Sequence, residues 1–347
     1  MRIILATTAT PFVAGGSTQI VEWLHRQLEI HGHDVELFQL PVSEAYGEIL
    51  DQLLAMRLLD LTQHGDRLIA VRSPSHLLRH PNKVAWFIHH YRSAYDLWGT
   101  RYQTLPDTPE GLAYRSAIVQ SDNVGLQECV RLFCNSGVVR DRLMKFNNAP
   151  AEVLYPPLLD PGQFRCGVYG DYLLYIGRLT HHKRQWLAIE ALRYTRTPVK
   201  LIIAGCPDPG AEPYVFDLQH LVAKYGLEHR VSILSRWISE HEKVELFANC
   251  AAAVYLPFDE DSYGYPSLEA HAARKPVLTT IDAGGTNELI VNGYNGLVTP
   301  ADPELLANAM DSLYKDKDLA RRMGEAGEQR IHDLGINWDA VVTRLLA

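Results

Sequence analysis

Short apolar segments alternate with longer segments of helical periodicity along the whole chain. The first such segment is "RIILAT" (2–7), and it is followed by a helical pattern with Ile20, Leu24 and Leu28 at four-residue spacing. Strands that alternate with helices form parallel sheets, covered by helices on both faces. The sequence therefore predicts an α/β fold built from doubly wound, Rossmann-like sheets.

The alternation is interrupted once, by Pro156, Pro157 and a polar stretch that ends at Gly170, which we interpret as a linker. A chain of 347 residues is also too long for one ordinary core. We predict an N-terminal domain over residues 1–157 and a C-terminal domain over residues 158–330. A last helical pattern over residues 331–347 can cross back onto the first domain.

The composition narrows the classes of function. The net charge is −8 and the pI is near 6.0, which argues against a broad basic face for nucleic acid. The five cysteines lack zinc-ligand spacing, so we expect free thiols in a reducing cytosol. We see no secretory leader and no apolar run of membrane-spanning length. We therefore expect a cytoplasmic protein, with contact at the inner face of the membrane left open.

Four loops that follow predicted strands carry candidate binding residues, since ligands bind beyond the carboxyl ends of such strands. The first loop contains Gly15 and Gly16, before a predicted helix. Paired glycines allow close approach to a ligand, and a helix N-terminus suits a phosphate. The alternative is an ordinary turn, and the G-x-G-x-x-G pattern of dehydrogenases is absent.

The second loop, "YIGRLTHHKR" (175–184), places Arg178 and Lys183 five residues apart after a strand. A guanidinium and an ammonium on one loop can hold a diphosphate from two sides. The alternative interpretation is a solvated basic turn. A fourth loop, "DAGGTNELI" (282–290), again has paired glycines, but no role follows from them.

The third loop, "DEDSYGYPSLEA" (259–270), leads through Gly264 and Tyr265 into a predicted helix that starts at Pro266. Glu269 is expected in the first turn of that helix, pointing back toward the loop. A first-turn glutamate is also stabilised by the helix dipole alone. The three acids at 259–261 match a D-x-D metal pattern by chance more often than by function, so we predict no metal site.

Two histidines, His89 and His90, end a strand of the first domain, and one of the pair should face the ligand. A histidine in such a place is more often structural. "IAGCPDPGAE" (203–212) lacks the Lys-Ser/Thr of a P-loop, and no G-x-S-x-G motif is present. A P-loop nucleotide site and a hydrolase triad are therefore excluded.

In this order, the segments resemble a retaining glycosyltransferase of family 4 with the GT-B fold. The resemblance covers nearly the whole chain: "GGSTQIVEWLHRQLEIHGHDVELF", "FCNS", "VLYPP", "YIGRLTHHKR", "DSYGYPSLEAHAARKPVLTT" and "GGTNELIVNGYNGLV". It implies two Rossmann-like domains facing across a cleft. It also implies a nucleotide-diphosphate-sugar donor, held mainly by the second domain. The donor is a substrate, and no cofactor or metal is expected.

The resemblance assigns roles in the second domain. Arg178 and Lys183 would bind the donor diphosphate and stabilise the leaving group. Glu269 matches the second carboxylate of the family's E-x7-E motif, which hydrogen-bonds the ribose. Asp261 falls on the first carboxylate, which reaches the transferred sugar. Both cations would then face the charge that develops as the sugar leaves, the largest single contribution available to such a site.

Further roles follow from the same resemblance. The backbone of Gly264 and Tyr265 would meet sugar and phosphate, and Trp237 and Ile238 lie where the family holds the base. The first domain would add Gly15 and Gly16 over the diphosphate and His89 near the transferred sugar, with His90 as the rival of His89.

Two positions depart from the family pattern. Asp261 is one methylene shorter than the usual glutamate, so the motif here is D-x7-E. Arg184 stands where the family often has glycine, and we expect it to crowd the donor entrance. Neither departure removes Arg178 or Lys183, the pair that we call the diphosphate clamp.

We expect a retaining hexosyltransferase, with UDP-glucose as the best guess for the donor. The acceptor would be a saccharide or a lipid-linked saccharide in polysaccharide or glycoconjugate biosynthesis. The aromatics of residues 89–103 would either stack on acceptor sugars or simply pack. The alternatives are a sugar-nucleotide epimerase, a phosphorylase of the same architecture and a non-catalytic nucleotide-sugar binder.

Asp261→Glu tests whether the short carboxylate is matched to its donor. We expect the longer side chain to impair transfer while UDP affinity stays near normal, because the carboxylate is assigned to the sugar and not to the nucleotide. Turnover and UDP binding are measured on the same preparation. Improved turnover would show instead that the shorter aspartate performs the role of the family's glutamate less well.

Overall fold

The structure, a computed structural model, describes residues 1–11, 16–43, 45–100, 102–207 and 210–347, without the side chain of Ser17. The described chain divides into two compact units. The first consists of residues 1–157 and 337–347, and the second of residues 158–336. Each unit contains one six-stranded sheet whose neighbouring strands pair in parallel.

The sheet of the first unit has the order β2-β1-β3-β4-β5-β6. Its strands are β1 (Arg2–Ala9), β2 (Asp34–Pro41), β3 (Arg67–Ala70), β4 (Lys83–Phe87), β5 (Arg131–Cys134) and β6 (Glu152–Val153). Every residue of β3 and β4 is buried. Burial on both faces explains why these strands appear in the sequence as continuous apolar runs.

The helices of the first unit before its linker are α1 (Gly16–Ile30), α2 (Ile49–Leu58), α3 (Pro109–Gln127) and α4 (Gly137–Asn147). In α1 the predicted stripe of Ile20, Leu24 and Leu28 is buried against the sheet. Thr108 and Ser136 cap α3 and α4 with their hydroxyls, at 3.2 and 3.0 Å from backbone amides of the first turn.

The sheet of the second unit has the order β12-β11-β10-β7-β8-β9. Its strands are β7 (Tyr172–Ile176), β8 (Lys200–Ala204), β9 (Val231–Leu234), β10 (Ala252–Val254), β11 (Val277–Thr280) and β12 (Gly296–Thr299). Its helices are α5 (Gln185–Leu192), α6 (Glu212–Lys224), α7 (Glu240–Asn249), α8 (Tyr265–Ala272), α9 (Thr286–Leu289), α10 (Pro303–Lys315) and α11 (Lys317–Asp333). The predicted fold of two doubly wound α/β sheets is confirmed.

The last helix, α12 (Trp338–Leu346), belongs to the first unit. Trp338 and Leu345 are buried in the same core as Trp86, and the rings of Trp86 and Trp338 meet edge to face at 6.3 Å. Arg67 donates to the carbonyl of Leu345 at 2.7 Å. The predicted boundary at residue 331 falls inside α11, which continues to Asp333, and the returning segment of the first unit begins at Asn337.

Trp338→Ala should lower the free energy of unfolding of the first unit by about 3 kcal/mol, because it removes a buried aromatic ring from the core. The matched control is Thr343→Ala, on an exposed position of the same helix, for which we expect a change within about 0.5 kcal/mol. Urea unfolding measures both. Equal losses would mean that α12 contributes little to the core.

Candidate active site

Two loops of the second unit lie side by side where its strand order reverses. β7 pairs with β8 on one side and with β10 on the other, so the loops after β7 and β10 leave neighbouring strand ends. In doubly wound sheets this position opens a crevice for ligands. The loop after β7 carries Arg178 and Lys183, and the loop after β10 carries Asp261 and Gly264. The fold brings these four predicted residues to one edge of one sheet.

Lys183 is a buried cation at this edge, with 7% of its surface exposed. Its ammonium donates to the hydroxyl of Tyr255 at 2.8 Å and to the carboxylate of Glu260. The pKa of Lys183 is lowered, chiefly by burial; the charge of Glu260 opposes this shift, Arg178 adds to it, and Asp261 opposes it more weakly. Arg178 and Asp261 are therefore within electrostatic range of the same ammonium.

The loop after β7 is held from inside the protein. The buried amide of Gln185 donates to the carbonyl of Arg178 at 2.8 Å, while the side chain of Arg178 is exposed. The hydroxyl of Tyr175 donates to the carbonyl of Lys183 and accepts from the amide of Leu256 at 3.0 Å. One tyrosine thus joins the two loops beneath the cations.

The loop after β10 enters α8 through a turn that only glycine fits. Gly264 has φ +71°, and a Cβ there would lie 2.4 Å from the ring of Tyr255. The helix begins at Tyr265, and Pro266 is its second residue rather than its first. The start of α8 is therefore pressed against Tyr255, the tyrosine that binds Lys183.

Glu269 is not in the first turn of α8, contrary to the sequence prediction, because the helix begins at Tyr265 and Glu269 is its fifth residue. Its carboxylate is buried and accepts from the ammonium of Lys243 on α7 at 2.6 Å. Glu240 lies 2.9 Å from the same ammonium. Burial alone would lower the pKa of Lys243, but the two carboxylates outweigh it and raise the pKa. The proposed ribose ligand is thus held by a charged lysine.

Arg184 is turned into the protein, so the prediction that it crowds the donor entrance is wrong. Its guanidinium donates to the carbonyls of Leu256 and Pro257, each at 2.7 Å, and to both oxygens of Asp282 at 2.8 Å. Its backbone has φ +55°, in the left-handed region that glycine adopts most readily. This arginine therefore ties together the loops after β7, β10 and β11.

The paired glycines of the loop after β11 pack against the backbone of the loop after β10. Gly284 has φ +62°, and a Cβ there would lie 2.5 Å from the backbone nitrogen and oxygen of Glu260. A Cβ on Gly285 would lie 2.8 Å from the backbone of Ser262. The amide of Gly285 donates to the carbonyl of Glu260 at 2.8 Å. These glycines permit a backbone-to-backbone contact within the protein.

Trp237 and Ile238, the predicted base-binding pair, follow β9 and differ in exposure. Trp237 is 61% exposed and Ile238 is buried. Ser239 then caps α7, because its hydroxyl accepts from the amide of Glu242 at 3.2 Å. Of the two predicted residues, Trp237 has the exposed ring on which a base could stack.

The first unit holds the other predicted residues. Gly15 lies outside the described residues, and Gly16 is the first residue of α1. His90 is buried, and its Nε2 lies 2.8 Å from the side-chain oxygen of Asn147, which marks it as a core histidine. His89 is half-buried, with Nδ1 2.8 Å from the carbonyl of His90. Of the two histidines, His89 remains the candidate.

The aromatic residues of segment 89–103 pack within the first unit. Tyr95 is buried, and its hydroxyl donates to Asp122 at 2.6 Å. Tyr91 and Trp98 pack against the core, and Arg115 lies 5.0 Å from the centre of the Trp98 ring. Arg101 lies outside the described residues. Packing, the second of the two interpretations drawn from the sequence, therefore accounts for Tyr91, Tyr95 and Trp98.

Sequence reasoning missed three residues of the second unit: Glu260, Tyr255 and Lys243. Glu260 stands between two other acids, and the sequence offers no basis for choosing among the three. Tyr255 follows an apolar strand and looks like a core residue. Lys243 is one of many helical lysines, and only the fold places it against Glu269.

Two properties of the described part of the chain complete the picture. No group of three or more His, Cys, Asp or Glu side chains in it is arranged to hold a metal ion. None of its helices combines the length and the hydropathy that a membrane crossing requires.

Gly284→Ala should lower the free energy of unfolding by about 1–3 kcal/mol more than Gly293→Ala, because both positions have left-handed backbones but only the first is crowded. Gly293 has φ +76° and no atom within 4 Å of a built Cβ. Chemical denaturation of both variants gives the comparison. Equal losses would mean that the loop after β11 accommodates the added methyl group without further loss of stability.

Residues 169–330 match the family model of glycosyl transferases group 1. The α-1,3/1,6-mannosyltransferase ALG2 of Dictyostelium discoideum is 31% identical over 205 residues, which cover 54% of this chain and 46% of ALG2. The chain spans about half the length of the curated relatives it matches.

Solved structures match over the whole chain. Sucrose-phosphate synthase from Thermosynechococcus elongatus has a TM-score of 0.80 at 17% identity, over 99% of this chain and 97% of that one. Anabaena HepE, in complex with UDP and glucose, has a TM-score of 0.72 at 19% identity, over 99% and 100% of the two chains. At these identities the likeness establishes the fold.

The family match covers nearly all of the second unit, including the loops after β7, β10 and β11. The likeness of fold extends over both units. By these findings residues 169–330 form a glycosyl transferases group 1 domain, and the chain has the GT-B fold.

Proposed function

We propose that this protein is a retaining glycosyltransferase that moves a hexose from a nucleotide-diphosphate sugar to a saccharide or lipid-linked saccharide. The observation that carries the proposal is the pair of cations, Arg178 and Lys183, on the loop after β7 at the reversal of strand order. A nucleotide diphosphate is the ligand whose charge matches this pair.

Sugar transfer requires positive charge near the leaving diphosphate. When the bond between the anomeric carbon and the diphosphate breaks, the diphosphate oxygen gains negative charge. Cations and amides already in place stabilise that charge without reorganisation. Lys183 is fixed by two hydrogen bonds, and the start of α8 at Tyr265 lies against the same tyrosine. With these groups at the diphosphate, we propose that the transfer needs no metal.

We assign no protein nucleophile. The acceptor hydroxyl attacks the anomeric carbon on the face that the diphosphate leaves, so that the configuration is retained. As the new C–O bond forms, the hydroxyl proton passes to an oxygen of the departing phosphate. Asp261 would contact the transferred sugar, and His89 is our candidate for a second contact with it.

UDP-glucose is the donor we propose. HepE, which shares the fold, is a protein solved with UDP and glucose, and Trp237 offers an exposed ring for the base. Glu269, held by Lys243, would accept from the ribose hydroxyls. The name of ALG2 indicates mannosyl transfer in that relative, so GDP-mannose is the competitor to test.

The activity is tested by incubating the protein with UDP-glucose, UDP-N-acetylglucosamine and GDP-mannose separately, with and without a panel of saccharide and lipid-linked acceptors. Mass spectrometry detects transfer and hydrolysis, and calorimetry detects binding. We expect binding of UDP-glucose and transfer that depends on an acceptor. Absence of binding, hydrolysis and transfer for every donor would refute the proposal, and conversion of donor without acceptor would indicate an epimerase.

Lys183→Ala and Arg178→Ala should each lower turnover by at least roughly tenfold, about 1.4 kcal/mol of transition-state stabilisation. The matched controls are Lys200→Ala and Arg321→Ala, which remove the same charges from exposed ion pairs of the same unit. The controls should keep wild-type rates. Wild-type rates in both clamp variants would refute the clamp.

A further inference from the structure

Glu260 is the acid of the "DED" triplet whose carboxylate binds the buried lysine. We propose that Glu260 is the positioning residue of Lys183, which it holds in place and charged for the donor diphosphate. This proposal rests on the diphosphate clamp proposed above, because it concerns one of the two cations of that clamp. It assigns a role to a residue outside the D-x7-E pair.

The contacts of Lys183 identify Glu260 as its counter-ion. The ammonium is bound by the carboxylate of Glu260 and by the hydroxyl of Tyr255, and that hydroxyl lies 3.2 Å from the same carboxylate. The three groups form a closed triangle at a buried position. A lysine held by two partners keeps one rotamer, so less ordering is left for ligand binding to accomplish.

The backbone of Glu260 is fixed independently of Lys183. Its carbonyl accepts from the amide of Gly285 at 2.8 Å, and its amide donates to the carbonyl of Ala283 at 3.3 Å. Gly284, which has no Cβ, permits this close approach of the two loops. The loop after β11 thus sets the position of Glu260, and Glu260 in turn sets the position of the lysine.

The charge of Lys183 depends on its neighbours. Burial favours the neutral amine, and Arg178 acts in the same direction. Glu260 is the strongest opposing group, and Asp261 is a weaker one. Tyr255 contributes a neutral hydroxyl, and Tyr175 donates to the backbone carbonyl of Lys183. Without the carboxylate of Glu260, the buried ammonium would lose its proton at a lower pH.

A different role for Glu260 would change the affinity for the diphosphate in the opposite direction. If Glu260 only occupied the lysine in the absence of donor, the diphosphate would have to displace it, and its removal would tighten binding. The burial of Lys183 favours the positioning role, because a buried ammonium without a counter-ion prefers to be neutral and a neutral amine cannot hold a diphosphate. The sign of the change in affinity separates the two roles.

The experiment is UDP binding to the full chain as a function of pH, for the wild type, Glu260→Gln and Glu260→Asp. The range runs from about pH 7.5 to about pH 9.5, where the phosphate ionisation near pH 6 is complete. Each unit by which the pKa of Lys183 falls costs up to about tenfold in affinity at the alkaline end. We expect Glu260→Gln to lose affinity mainly as the pH rises, and Glu260→Asp, which keeps the charge, to lose less.

The matched control is Glu328→Gln, which removes an exposed carboxylate 2.8 Å from Arg274 in the same unit. It should follow the wild type at every pH. The proposal is overturned if Glu260→Gln binds UDP more tightly, or if its affinity differs from the wild type by the same factor at all pH values. A merely structural loss would give that constant factor.

A second readout does not depend on nucleotide binding. The rate at which acetic anhydride acylates Lys183, followed by peptide mass spectrometry across the same pH range, reports the pKa of the amine. We expect the midpoint to lie lower in Glu260→Gln than in the wild type, and an unchanged midpoint would overturn the proposal. A lower midpoint in a protein that binds neither UDP nor any of the donors tested above would refute the proposed function, while Glu260 would still be the residue that keeps Lys183 charged.

Discussion

The reversal of strand order between β7 and β10 is the constraint on which the candidate site depends. Because these strands are neighbours, Lys183 and Glu260, which are 77 positions apart in the chain, reach each other across two loops. Arg184 and the paired glycines at 284 and 285 then bind a third loop to the other two. Contacts between these loops position the charged groups, and the sheet fixes the places from which the loops start.

Much of the fold was predictable because the strands are parallel and buried. Segments such as "VAWF" (84–87) and "LIIA" (201–204) are apolar without interruption, and each lies within an observed strand. The helices of the first unit were harder to recognise. Leu54 and Leu58 of α2 and Leu112 and Val124 of α3 are exposed, so their apolar residues do not follow a single buried face and the period of 3.6 is blurred.

The candidate site was predictable at the level of loops and less so at the level of contacts. Glycine and proline indicate a turn into a helix, but they do not fix the first helical residue. Glu269, predicted in the first turn, therefore lies in the second. A charged residue indicates neither its direction nor its partner. Arg184 points inward and Lys243 meets Glu269, and both facts arise from tertiary packing that no local pattern encodes.

The place of α12 has a consequence for how the chain is made. Trp338 and Leu345 belong to the core of a unit whose six strands all lie before Pro157. The ribosome must first synthesise residues 158–336, which at about 5–20 residues per second takes on the order of ten seconds or more. During that interval the surface around Trp86 has no α12 to cover it, while the second unit has everything it needs to fold. The domain that is encoded first is therefore the domain that is finished last.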